Sequence, residues 1–287
     1  MVSYRRSVLV VIPCAVMLAA CPTTPVTVPT TLAGYAVLAG AAATVAANSA
    51  ATISASCAPG SVALGGGVSV GGATGAGVRS SAPLAGGGGW TVTVANVPLI
   101  GGAITVTPMA VCARRPAGYA INTFAGSLSM GEVKSFEAAC PTAAHFATGV
   151  GVATRGTEVR PFSQQLIQQP APERVRAGGR SYLALPGSSS FDVTAVCADF
   201  TALPGREIVL STSVSIGALT TATLTAACPA GKSALHGAVG TLENAIVTLD
   251  STPTGGGTGW SATVHNPELI SGSLSARLQV VCVQTAP

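Results

Sequence analysis

The chain has 287 residues, of which 48% are apolar, 8% charged and 4% aromatic, and it carries a formal net charge of +4. That is far fewer charges than the roughly one quarter of an ordinary globular domain. No cluster of Lys and Arg with interleaved aromatics exists, which removes the electrostatic footprint a nucleic-acid-binding protein needs.

At the N-terminus, Arg5 and Arg6 precede an apolar stretch from Val8 to Ala20. This is the charged and apolar composition of a secretory signal, too short for a membrane span. Leu18-Ala19-Ala20-Cys21 is similar to the bacterial lipobox, which places a signal peptide over 1–20, removes Cys14 with it and leaves Cys21 to carry lipid. An ordinary signal peptidase site or an uncleaved anchor is the competing reading, and Arg5-Arg6-Ser7-Val8-Leu9 weakly resembles a twin-arginine signal. Residues 21–33 then read as the lipidated cysteine and an extended Pro/Thr tether, Pro22 to Thr31.

From Gly34 onward a unit of about 80 residues occurs three times, as Gly34–Cys112, Gly118–Cys197 and Gly205–Cys282. The early cysteines Cys57, Cys140 and Cys228 fall 22 or 23 residues after the opening glycine, and the late cysteines follow 55, 57 and 54 residues further on. Conserved spacing of this kind between drifting sequences predicts three domains, 34–113, 118–200 and 205–287, each closed by one disulfide. The expected pairs are Cys57 with Cys112, Cys140 with Cys197 and Cys228 with Cys282.

Each unit opens with a stretch, Ala36–Ala47, Ala120–Val133 or Ile208–Leu219, that reads as short strands with a turn. Before each early cysteine the residues alternate, Ile53, Ala55 and Cys57 against Thr52, Ser54 and Ser56, with Phe136, Ala138, Cys140 and Leu224, Ala226, Cys228 repeating the inward set. The late cysteines end similar runs, such as Ile104, Val106, Pro108, Ala110, Cys112. A period of two with one apolar face is a half-buried strand, so both cysteines of a pair face a core. Glycines stand nine residues after each early cysteine, Gly66, Gly149 and Gly237. They predict a bulge or tight crossing, since no helix follows that could complete a phosphate loop.

The first and third units share Gly89-Trp90-Thr91-Val92-Thr93-Val94-Ala95-Asn96 with Leu99-Ile100, against Gly259-Trp260-Ser261-Ala262-Thr263-Val264-His265-Asn266 with Leu269-Ile270. Trp90 and Trp260 have two readings, a stacking platform for a sugar ring or a core residue packed on the disulfide. Asn96 and Asn266 join the ligand-binding candidates in the first case and form the following turn in the second. The middle unit lacks the tryptophan, and its segment Gln164 to Arg180, rich in Gln, Pro and Arg, is either a specialised surface or a longer solvent loop.

Cys228-Pro229-Ala230-Gly231, a glycine-rich turn, Gly259-Trp260, Asn266 and Val281-Cys282 together resemble a module of exported actinobacterial and other bacterial proteins of unassigned function. In the first unit Cys57-Ala58-Pro59-Gly60 transposes that pattern, Cys140-Pro141-Thr142-Ala143 lacks its glycine, and the resemblance implies location and fold but no chemistry.

Catalysis finds little support. The first unit has Arg79 as its only charged residue and no Asp, Glu or His, whereas acid–base and metal-assisted hydrolysis require such groups. His145, His236 and His265 are split between two units with no ligand spacing, although His236 and His265 could approach in the third. Asp192 and Asp199 show no pairing, and no nucleophile elbow or zinc-protease motif is present, so an enzyme reading would rest on His236, His265 and Asp250. The chain is therefore read as all-β, three tandem disulfide-stapled β-sandwich repeats of Ig-like or jelly-roll-like kind. Its expected role is a non-catalytic cell-envelope lipoprotein with a structural or surface-interaction function, without cofactor or metal. The membrane is its partner through Cys21, with cell-wall glycan or another envelope protein as a further one. The alternatives are a carbohydrate-binding accessory protein using exposed tryptophans and, third, a secreted hydrolase.

Overall fold

The computed structural model describes residues 31–71, 76–96, 102–155, 159–182, 187–241, 246–269 and 272–286. Cys14, Cys21, the leader and the Pro/Thr tract as far as Thr30 lie outside the described residues, as do Leu99 and Ile100. The fold is all-β and β-sandwich-like, with only short 3-10 turns besides strands among the described residues.

The strands fall into three groups with one pairing pattern. The first holds β1 (Ala36–Ala39), β2 (Ala43–Val45), β3 (Ser49–Ser56), β4 (Ser61–Gly71), β5 (Ala76–Pro83), β6 (Gly89–Asn96) and β7 (Ile104–Arg114). The second holds β8 (Ala120–Ser129), β9 (Val133–Ala139), β10 (His145–Thr154), β11 (Val159–Ile167), β12 (Arg174–Ser181) and β13 (Ser188–Asp199). The third holds β14 (Glu207–Leu210), β15 (Val214–Ile216), β16 (Thr221–Ala227), β17 (Lys232–Thr241), β18 (Val247–Thr254), β19 (Gly259–His265) and β20 (Leu274–Gln284). In the first group β7 pairs with β1, β2 and β4, while β6 pairs with β3 and β5. The second group does the same with β13 between β8 and β10 and β12 between β9 and β11. In the third, β20 pairs with β14, β15 and β17, and β19 with β16 and β18.

Disulfides Cys57–Cys112, Cys140–Cys197 and Cys228–Cys282 span Cα separations of 5.8, 5.9 and 5.7 Å. The early cysteines stand one residue beyond β3, β9 and β16 rather than inside them, and each ties that strand's sheet to the one containing the late cysteine.

The groups are not beads. β5 pairs with β10 at Ser81 and Val152, and β18 pairs with β4 at Ser251 and Val68, so two sheets each run through two groups. The third junction lies between β11 and β17, where Ser163 Oγ donates to the Thr241 carbonyl at 3.3 Å. One device recurs at all three seams: a backbone N–H donates to the side-chain oxygen of the residue after a bulge. Thr154 N donates to Ser80 Oγ and Val70 N to Asp250 Oδ2, both at 2.9 Å, and Thr241 N to Ser163 Oγ at 3.4 Å. A second device uses the residue after each opening glycine. Tyr35 Oη donates to the Ala234 carbonyl at 3.0 Å, Tyr119 Oη to Ala63 at 3.0 Å, and Arg206 Nη2 to Ala147 at 2.8 Å. Each group thereby grips the central strand of another, and Leu32 N donates to Gln284 O where the chain's first described segment meets its last strand.

The core follows the ring. One apolar cluster contains Val62, Leu64 and Val111 from the first group, Val150 and Val193 from the second, and Leu235 and Val280 from the third. At its centre β4, β10 and β17 converge through bulges at Leu64, Thr148 and Leu235. Strand register makes Gly65, Gly149 and His236 equivalent, opposite Val111, Val196 and Val281. A Cβ on Gly65 would lie 2.2 Å from the Leu235 carbonyl oxygen and one on Gly149 2.6 Å from that of Leu64, so only one of the three positions carries a side chain. Counting from the cysteine had aligned Gly149 with Gly66 and Gly237; one extra residue before the middle bulge shifts that register.

Candidate functional site

Trp90 and Trp260 are fully buried, at 0% exposure, which removes them as stacking platforms for a sugar. The reason lies in β4 and β17: Gly66 and Gly237 leave a slot that each indole fills, and a Cβ there would come within 2.3 Å of Trp90 Cγ and 2.2 Å of Trp260 Cδ1. In the middle group the register-equivalent residues are Val150 and Val175, both buried, so volume lost from the indole is returned on the facing strand. Each indole N–H donates to a serine, Trp90 to Ser81 Oγ at 2.8 Å and Trp260 to Ser251 Oγ at 2.9 Å.

Asn96 and Asn266 are likewise buried and closed to a ligand. Asn96 Nδ2 donates to the carbonyls of Val45 and Gly102 at 3.0 and 3.1 Å, and Asn266 Nδ2 to those of Ile216 and Gly272 at 3.1 and 3.2 Å. Each ties the backbone six residues beyond it to the second short strand of its group, β2 or β15.

The titratable groups are dispersed. Among the described residues no three of His, Cys, Asp and Glu come together as a metal site. His145 Nε2 lies 3.5 Å from Asp199 Oδ1, and its Nδ1 is 2.8 Å from Thr142 Oγ1, a local contact at the end of β10. Asp250 is committed to the seam, and burial pushes its carboxyl above the usual range although the Val70 N–H opposes this. His236 lies between the two indoles, with ring centroids 5.7 Å from each. Burial pushes its imidazole down to about 4, and the Gly66 backbone partly opposes the shift without a well-formed hydrogen bond to either ring nitrogen.

The middle segment Gln164 to Arg180 is not a free loop: it forms the last four residues of β11, most of β12 and the connection between them. Glu173, in that connection, accepts from Arg206 at 2.7 Å with both side chains almost fully buried. Desolvation raises the Glu173 pKa and lowers that of Arg206, while their attraction works against both shifts. Arg206 occupies the position held by Tyr35 and Tyr119 in the other groups, so the reworked segment and the changed opening residue are two halves of one seam.

A small cavity, in which the centre of a water-sized body can range over about 30 Å³, lies where the groups meet. Its wall is built from three register-equivalent sets. Val68, Val152 and Val239 come from the converging strands; Val78, Pro161 and Thr248 precede the bulges of β5, β11 and β18; Ser81, Gln164 and Ser251 follow them. Arg79, Phe162, Ser163 and His236, with Gly66 and Gly237, complete the lining. Sequence reasoning missed this site because its residues lie on different groups, and only the seams bring them together. No family model matches this chain, and no curated protein sequence matches it.

Proposed function

We propose that the protein is a non-catalytic cell-envelope lipoprotein with a structural or surface-interaction role, held to a membrane through lipid on Cys21 and built from three tandem β-sandwich repeats. The observation that carries the reading is the set of three disulfides, one in each strand group, which supports an oxidising, extracytoplasmic compartment. The ring of seams supports it further, because a body clasped at three places suits a display scaffold better than a hinged enzyme.

The surface on offer is uncharged and hydroxyl-rich. On the outer face of β3 and β6, Thr52 and Ser54 stand beside Thr93 and Thr91, with Thr52 Oγ1 2.9 Å from Thr93 Oγ1. On β16 and β19, Thr223 and Thr225 stand beside Thr263 and Ser261. Rows of this kind offer hydrogen bonds to a glycan or to another envelope protein without a charge preference. The test is metabolic labelling with a palmitate analogue in a bacterial host. The native chain is expected to take up label into the membrane fraction and Cys21→Ser to lose both label and anchoring; equal labelling of the two would overturn the lipoprotein reading.

A further inference from the structure

We infer that the cavity between the three strand groups is a binding site for one small, weakly hydrated anion of halide size, held by the Ser81 and Ser251 hydroxyls with the Gln164 amide at the third equivalent position. Each serine oxygen already accepts an indole N–H, from Trp90 and from Trp260. Neither hydroxyl donates to a described residue, so each has a proton to give and the cavity is where an acceptor fits. Gln164 adds two amide N–H donors from the register position of the two serines. His236, also buried, turns a ring to the same wall whose nitrogens have no well-formed partner.

The wall is correspondingly poor in competitors. No Asp or Glu is among the described residues that line it; the neighbouring carboxylate, Asp250, leaves the opposite face of β18 and is spent on Val70 N. The valine collar of Val68, Val152 and Val239 strips hydration from a guest, which favours bromide, iodide and chloride over fluoride or sulfate. The centre of a water-sized body can range over about 30 Å³, room for one or two waters or one such ion and nothing larger. A buried donor left unmatched costs about 1–3 kcal/mol, and a single anion satisfies several together. The site is independent of the envelope reading and can stand or fall separately.

The probe is sodium bromide at constant ionic strength against the oxidised chain Pro22–Pro287, read by tryptophan fluorescence. Both indoles are sealed from solvent, so collisional quenching is closed, whereas a heavy halide on Ser81 and Ser251 sits one hydrogen bond from each ring. The expected result is saturable quenching by bromide, reversed by chloride, with neutral acrylamide ineffective. Gln164→Leu, which leaves both indole bonds in place, is expected to weaken bromide binding about tenfold, the worth of one hydrogen bond to a charged group. Quenching that is absent, or linear in bromide and unaltered in Gln164→Leu, would overturn the proposal. So would bromide-soaked crystals whose anomalous map shows no peak between the two serines, water alone filling the cavity.

Discussion

His236 is the residue whose protonation the fold resists most plainly. Its imidazole stays neutral in the folded chain down to about pH 4 but takes a proton near its ordinary value of 6.5 once unfolded. The stability this contributes is complete above 6.5 and is lost as the pH falls towards 4, about 3 kcal/mol over the window. Glu173 and Asp250, whose carboxyls burial raises, act in the opposite direction. The decisive measurement is therefore a difference: urea midpoints of the native chain and of His236→Asn, in halide-free buffer from pH 7.5 to 4. The native chain is expected to lose more stability across that range. Parallel curves would mean that His236 is not desolvated as the structure has it. The Gly66 and Trp90 pair offers a second residue-scale test. Gly66→Val alone is expected to cost about 3 kcal/mol by overpacking, and adding Trp90→Val to recover much of it, because the double variant rebuilds the Val150 and Val175 arrangement of the middle group. Strictly additive losses in a double-mutant cycle would refute that equivalence.

At the scale of elements, the seams and staples are the features most exposed to mutation. Arg206 and Glu173 are almost fully buried as a pair, so Arg206→Ala strands a carboxylate in the interior and is expected to destabilise the chain by about 3–5 kcal/mol. Replacing both, as Arg206→Met with Glu173→Leu, is expected to cost much less, and chemical denaturation of the two variants distinguishes them. Each disulfide closes a loop of about 55 residues, worth roughly 4 kcal/mol in the chain-entropy model. Reduction is expected to abolish the near-UV circular dichroism of Trp90 and Trp260 and to lower the melting temperature sharply. A reduced chain that keeps both signals would show that the packed sheets suffice without their staples.

Over the whole molecule, β-sheets and an apolar cluster pass from group to group, and cooperativity should follow the same paths. Calorimetry of Pro22–Pro287 is expected to show one transition, with Arg206→Ala shifting all of it. Three separable transitions, only one of them moved by the mutation, would mean that the groups melt independently and that the seams contribute little.

The β character of the chain, its disulfide partners and its inward-facing residues were legible in the sequence, because strand alternation and cysteine spacing are local patterns that survive drift elsewhere. The tryptophans were ambiguous: Trp90 alone cannot tell whether Gly66 lies against it, and only the register of β4 beside β6 decides. Gly149 was placed one position out because spacing from a cysteine does not register a bulge, whereas hydrogen-bond pairing does. Nothing in the linear order relates Ser81 to Ser251, Asp250 to Val70 or Arg206 to Glu173. Sequence determined the β character of the chain and its disulfide pairs, since strand alternation and cysteine spacing act within about 80 residues. Tertiary structure decided that the groups close on one another and enclose a polar cavity, since edge-strand complementarity and the fit of a Tyr or Arg under another group's strand depend on surfaces that exist only after the sheets have formed.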